Sequence, residues 1–233
     1  MTIHPENRTE RIALLVPGAL DVFERWGVDY FSHGHDSLLA ACRAARAKVD
    51  DVIADLAKAE VSGETAPDSE LENQTVCQLV DGIGATCARP EEAACARVEE
   101  ALARSACPGV HSALIELNDA LANHIRLEAY VFEQLRALQR AREGTGPWPQ
   151  PGLLSLRGDL ASLKIENGMI CDALCALSKC CKESNPAGGA SAKQDLMNAV
   201  AELEAAVHHQ IHLENNLLLP RAMNLIGATE GWE

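Results

Sequence analysis

Two short stretches carry side chains able to hold a metal ion. In NHIRLEAYVF, His124 and Glu128 stand at i and i+4; in HHQIHLENN, Gln210 and Glu214 repeat that spacing, and His208 and His212 form another such pair. A helix brings i and i+4 onto one face, so each pair can present a carboxylate beside a nitrogen or amide oxygen. Both stretches run into apolar sequence, AYVF and LLLP, where an unpaired carboxylate is costly to bury. Glu166, in LKIENGMI, is a third acidic candidate. Three carboxylates with one imidazole suit iron, manganese or zinc. Without an ion, the same carboxylates repel one another and need a raised pKa or a basic partner, with Lys164, Arg126 and Arg221 as candidates. The residues leave both outcomes open. If Glu214 faces inward on a regular helix, Gln210, Leu217 and Arg221 follow it, while His208 and His212 fall on a flank or at the surface.

Positioning such pairs requires long helices. Helical patterns run near 74–105, 111–143, 152–184 and 190–224, broken by CPG, GTGPWPQPG and SNPAGGAS. No convincing strand pattern interrupts them. Four helices with short connections predict an all-α, up-down-up-down bundle over 74–233, with metal sites made by inward side chains. VSGETAPDSELEN, 61–73, is polar and acidic and reads as a linker. Residues 1–60 form a small helical N-terminal domain. Within it, ALDVFERWGVDYF has a roughly helical apolar period that stops at Gly27, and Asp36 or Ser37 can cap a further helix over 36–60.

The composition narrows the function classes. Lys+Arg at 20 against Asp+Glu at 34 gives a net charge of −14. That field repels phosphate backbones and anionic lipid, which excludes nucleic acid and membrane surfaces as partners. No stretch approaches the length of a membrane helix, and the charged N-terminal stretch lacks the pattern of a secretion signal; a cytoplasmic protein is expected. Its nine cysteines should then be reduced, and none forms a paired CxxC zinc motif. In MICDALCALSKCCKE, Cys171 and Cys175 lie one turn apart, a spacing that suits a soft ion or a thiol sensor; buried structural thiols are the plainer reading. No GxSxG, GxGxxG or GxxxxGK[ST] motif marks a hydrolase or nucleotide enzyme.

HLENNLLLPRAMN closely resembles the C-terminal end of the bacterial iron–sulfur cluster repair di-iron proteins, a hemerythrin-like family. IALLVPGALDVFERWGVDYFSHGHDSLLAAC is similar to that family's small N-terminal domain, and QLVDGIGATC and ALANHIRLEAYVFEQL fall where its first two bundle helices lie. The resemblance implies a hemerythrin-like four-helix bundle with non-haem, dinuclear iron, acting in repair of clusters damaged by nitric oxide or peroxide. Its partners would be iron–sulfur proteins or a second copy of itself.

Carried over by position, the resemblance assigns metal ligation to Glu128, Glu214 and His124, with Glu166 as a replacement ligand and Gln210 where the family has a histidine. Gly82 stands where the first helix should supply another. Phe31 and Ser32 replace a vicinal cysteine pair, and His33 and His35 beside them read as exposed loop residues. The alternative is a non-catalytic member that has lost the di-iron site. Such a protein would act as a partner subunit with no metal, or bind another metal, haem or a soft ion through His or Cys.

Overall fold

A computed structural model describes residues 2–62, 69–86, 88–105, 107–149, 152–186 and 188–228. Among these residues the chain is helical, apart from one isolated bridge between Arg8 and Ser37.

The N-terminal part contains α1 (Thr9–Leu15), α2 (Ala19–Trp26), α3 (Leu38–Ala44) and α4 (Val49–Ser62). They enclose Ile12, Phe23, Tyr30, Leu38 and Leu56, all fully buried. Helix α2 ends at Gly27, where φ of 64° lets the Val28 N–H turn back to the Phe23 carbonyl at 2.9 Å. The Ser37 side chain caps α3 by accepting the Ala40 N–H at 3.2 Å. The helix expected over 36–60 is two helices, because Arg46 adopts φ of 59° between them. Helix α4 extends through Ser62 into the expected linker, and a 3₁₀ turn covers Ser69–Asn73; 63–68 lie outside the described residues.

The remaining chain forms α5 (Val76–Thr86), α6 (Ala88–Ser105), α7 (Pro108–Arg142), α8 (Leu153–Glu183), α9 (Gly189–Leu213) and α10 (Leu219–Gly227), with a π turn at Glu214–Leu218 between the last two. Helices α5 and α6 together span the expected first helix, and Cys87 between them lies outside the described residues. Successive long segments run antiparallel. Cys77 and Asp81 on α5 bond to Gln139 and Arg136 on α7, and Arg97 on α6 pairs with Glu202 on α9. His124 on α7 lies beside Glu166 on α8, and Lys193 on α9 donates to the Lys182 carbonyl of α8.

Two apolar clusters fill the space between these helices. One gathers Leu79, Ile83, Leu135, Leu138, Leu156 and Leu163; the other gathers Val98, Leu117, Leu174, Leu177, Leu196 and Leu203. Each buried leucine contributes on the order of 1.5–3 kcal/mol relative to an exposed one. Along α7, α8 and α9 the clusters are separated by a layer of polar side chains.

Candidate metal centre

Helix α7 supplies His124 and Glu128, α8 supplies Asn167, α9 supplies Gln210, and the π turn supplies Glu214. Glu214 is fully buried, His124 and Gln210 nearly so, and Glu128 half-buried. One ligand atom from each of His124, Glu128 and Glu214 lies within 4.8 Å of the other two. Donors about 2.0–2.2 Å from an ion stand roughly 3–4 Å apart, a separation that His124 Nε2 and Glu214 Oε1 already have at 3.3 Å. A buried imidazole and two carboxylates can therefore hold a metal ion here.

Three donors crowd the Glu214 carboxylate. The Gln210 amide donates to Oε1 at 2.9 Å, with His124 Nε2 at 3.3 Å from the same oxygen. The Asn167 amide donates to Oε2 at 2.9 Å. Gln210 Nε2 also lies 3.4 Å from Glu128 Oε1. Burial, and then the neighbouring Glu214 charge, raise the Glu128 carboxyl to about 7, against a smaller lowering influence from His124.

Glu166, expected as a ligand, lies to one side: its Oε2 is 3.9 Å from His124 Nδ1 and outside the three-residue group. The inward place on α8 belongs to Asn167. Its position was legible, because Leu156, Leu160, Leu163, Asn167, Ile170 and Leu174 continue one stripe at spacings of three and four. The three candidate basic partners reach elsewhere. Arg221 donates to the carbonyls of Leu71 and Gln74 at 3.0 and 3.1 Å, Arg126 bonds Asn123, and Lys164 is exposed.

The π turn has a local cause. Pro220 cannot donate to the Asn216 carbonyl, and its ring crowds that carbonyl. The backbone widens instead, and the Leu219 N–H bonds the Glu214 carbonyl. Asn215 and Asn216 within it reach the N-terminal part: Asn215 donates to the Phe31 carbonyl at 3.3 Å and Asn216 to the Tyr30 carbonyl at 3.0 Å.

His212, expected on a flank or surface, is buried, with Nδ1 at 3.2 Å from the Tyr30 carbonyl. His208 stacks on Phe31 with ring centroids 3.8 Å apart and pairs with Glu24 at 3.0 Å. Both do lie on a flank; the N-terminal part covers it. His33 and His35 are exposed as expected and pair with Asp29 and Glu10. The Asp29 hydrogen bond raises the His33 pKa.

No disulfide joins the described cysteines to one another. Burial pushes the thiols of Cys171 and Cys181 up to about 11, which keeps both protonated and weakens them as ligands. Among the described residues, the His124–Glu128–Glu214 group is the one set of three potential ligands close enough to share an ion. No described helix is long and apolar enough to cross a membrane.

No protein-family model matches the chain, and no curated protein sequence matches it.

Proposed function

We propose that this chain is a hemerythrin-like bundle protein, a divergent relative of the iron–sulfur cluster repair proteins of nitrosative and oxidative stress, whose polar layer holds a single divalent cation. The supporting observation is the buried convergence of His124, Glu128 and Glu214 from two separate segments. Two carboxylates balance the charge of a divalent ion, and one imidazole with oxygen donors suits iron or manganese. When bound, such a cation supplies Lewis acidity and, for iron or manganese, one-electron chemistry.

The residues fit one cation and do not fit a dinuclear iron centre. Gln210 and Asn167 surround Glu214 as amide donors. Gly82 stands where the family supplies a ligand and has no side chain to offer, and Leu71 of the 3₁₀ turn packs beside it, 3.4 Å from where a Cβ would lie. His124 Nε2 and the Glu214 carboxylate would bind the ion, with Glu128 releasing its proton as the ion enters. Asn167 orients Glu214 from the side opposite Gln210.

A second reading has its own support. Both Glu214 oxygens already accept hydrogen bonds, so the layer can persist without a cation, as in a non-catalytic partner subunit. Metal quantification after anaerobic purification from iron-replete cells separates the two, with the Glu128→Ala/Glu214→Ala double variant as control. About one equivalent per chain, absent from the control, supports the single-cation reading. Two irons per chain would restore the dinuclear one, and no metal in either protein would leave the partner-subunit reading.

A further inference from the structure

We propose that cation occupancy of the polar layer and docking of the N-terminal part on the bundle stabilise each other, through a line of hydrogen bonds from Glu214 by way of Asn167 and Asn215 to the loop at Phe31. The inference rests on the reading that His124, Glu128 and Glu214 hold a cation.

The line is continuous, and Asn167 at its middle donates to both neighbours. Asn167, fully buried on α8, divides its two amide hydrogens between Glu214 Oε2 at 2.9 Å and Asn215 Oδ1 at 3.1 Å. The amide orientations follow from the neighbours: Asn167 faces two acceptors, so its NH₂ must point there. Asn215 turns its own NH₂ to the Phe31 carbonyl, at 3.3 Å, which leaves its oxygen for Asn167. A ligand carboxylate and the backbone of a loop over 180 residues away in sequence are thus joined by two side chains, neither of them a ligand.

The sign of the coupling follows from which oxygen each donor takes. With the loop docked, Asn215 is held by Phe31 and presents its oxygen to Asn167, which pins Glu214 through Oε2. Oε1 then faces His124 and Glu128, where an entering ion would take the place of the Gln210 amide that donates to it at 2.9 Å. With the loop released, Asn215 loses its anchor, Asn167 loses a fixed acceptor, and Glu214 loses part of its orientation. Outer partners of metal ligands commonly contribute 10–100-fold in affinity. A docked loop therefore binds the cation more tightly, and by reciprocity a bound cation favours the docked loop.

The loop supplies a test that touches no ligand. A Cβ at Gly34 would lie 2.7 Å from the amide atoms of Asn216, and that amide is held by the Tyr30 carbonyl. Gly34→Ala must therefore displace the Asn216 amide or the loop itself, and either breaks the contact that seats the loop on the π turn. Ser32 reports docking, because its Oγ lies 3.7 Å from Cys171 Sγ: in a Ser32→Cys variant, diamide will form a disulfide to Cys171 in the docked state, and Cys171→Ser removes it.

Mn²⁺ affinity would be measured on the full chain, from the loss of the free-ion paramagnetic resonance signal. Gly34→Ala should weaken binding about tenfold and slow the cross-link by a similar factor. Oxidised Ser32→Cys/Gly34→Ala should recover the wild-type affinity that its reduced form lacks. In Ser32→Cys, saturating Mn²⁺ should speed cross-linking. Should Gly34→Ala not fold, Asn215→Ala carries the same expectations for affinity and cross-linking rate. Slower cross-linking at unchanged Mn²⁺ affinity overturns the coupling alone. A wild-type chain that takes up no Mn²⁺ overturns the cation reading for this ion and the coupling with it, and that result is read from the wild type before any variant.

Discussion

The two apolar clusters and the polar layer between them are built from the same helices, yet they hold the molecule together in different ways. In the clusters, leucines on α7, α8 and α9 interdigitate, and stability grows with the area removed from water. In the layer, a buried carboxylate is tolerated only because Gln210, Asn167 and His124 converge on it. Replacing an apolar residue costs its packing. Replacing a member of the layer strands its neighbours. The contrast teaches that the clusters carry the fold, while the layer is kept at a cost that an all-apolar interior would not incur.

This contrast can be broken at several places. The largest loss of stability is expected from Leu163→Ala, deep in one cluster, at about 2–5 kcal/mol, read from urea unfolding at constant slope. Binding of Mn²⁺ by the folded fraction should persist, since Leu163 is not a ligand.

Glu214→Ala should cost less stability, about 1–3 kcal/mol for the donors it leaves unsatisfied, and should abolish cation binding. Equal losses for the two variants, with cation binding intact in both, would erase the distinction between layer and cluster.

Glu128 sharpens the comparison through pH. Its carboxyl, ordinarily near 4.5, is raised to about 7 in the fold, so between these values the folded chain binds more protons than the unfolded one. Its contribution is fully present below about 4.5 and is lost as pH rises to about 7. In chelator-treated protein, the Tm of Glu128→Gln should fall less than that of the wild type across this window. Parallel Tm curves would show that the carboxyl does not titrate there.

The smallest effect is expected at the surface. Arg136 makes two bonds to Asp81, at 2.7 and 3.1 Å, but Asp81 is well exposed, and Arg136→Ala should cost no more than about 1 kcal/mol. A loss in urea unfolding as large as that at Leu163 would mean that the α5–α7 contact is far less solvated than its exposure indicates.

Much of the helical organisation was legible because it follows local rules. The Gly27 stop, the Ser37 cap and the Pro/Gly-rich breaks after α7 and α8 rest on backbone preferences a few residues long. The spacing of His124 to Glu128 and of Gln210 to Glu214 identified the residues that meet in the layer. Glu166 stood out on charge, whereas Asn167 was hidden by its neutrality although it continued the leucine stripe. Neighbouring residues on a helix point about 100° apart, so chemistry suggested one and geometry selected the other. His208 and His212 were placed on a flank, and no local pattern shows that another part of the chain covers that flank.

The sequence by itself determined the helical class, the acidic surface and the pairing of a carboxylate with a nitrogen-bearing side chain on each of two helices, because these depend on composition and on a period of 3.6 residues. Only the tertiary structure decided that Asn167 reaches Glu214, that the turn bearing Glu214 widens, and that Asn215 and Asn216 hold the loop at Tyr30 and Phe31. Each of these depends on groups brought together from distant parts of the chain, and a buried polar atom is satisfied by whatever donor the packing delivers to it.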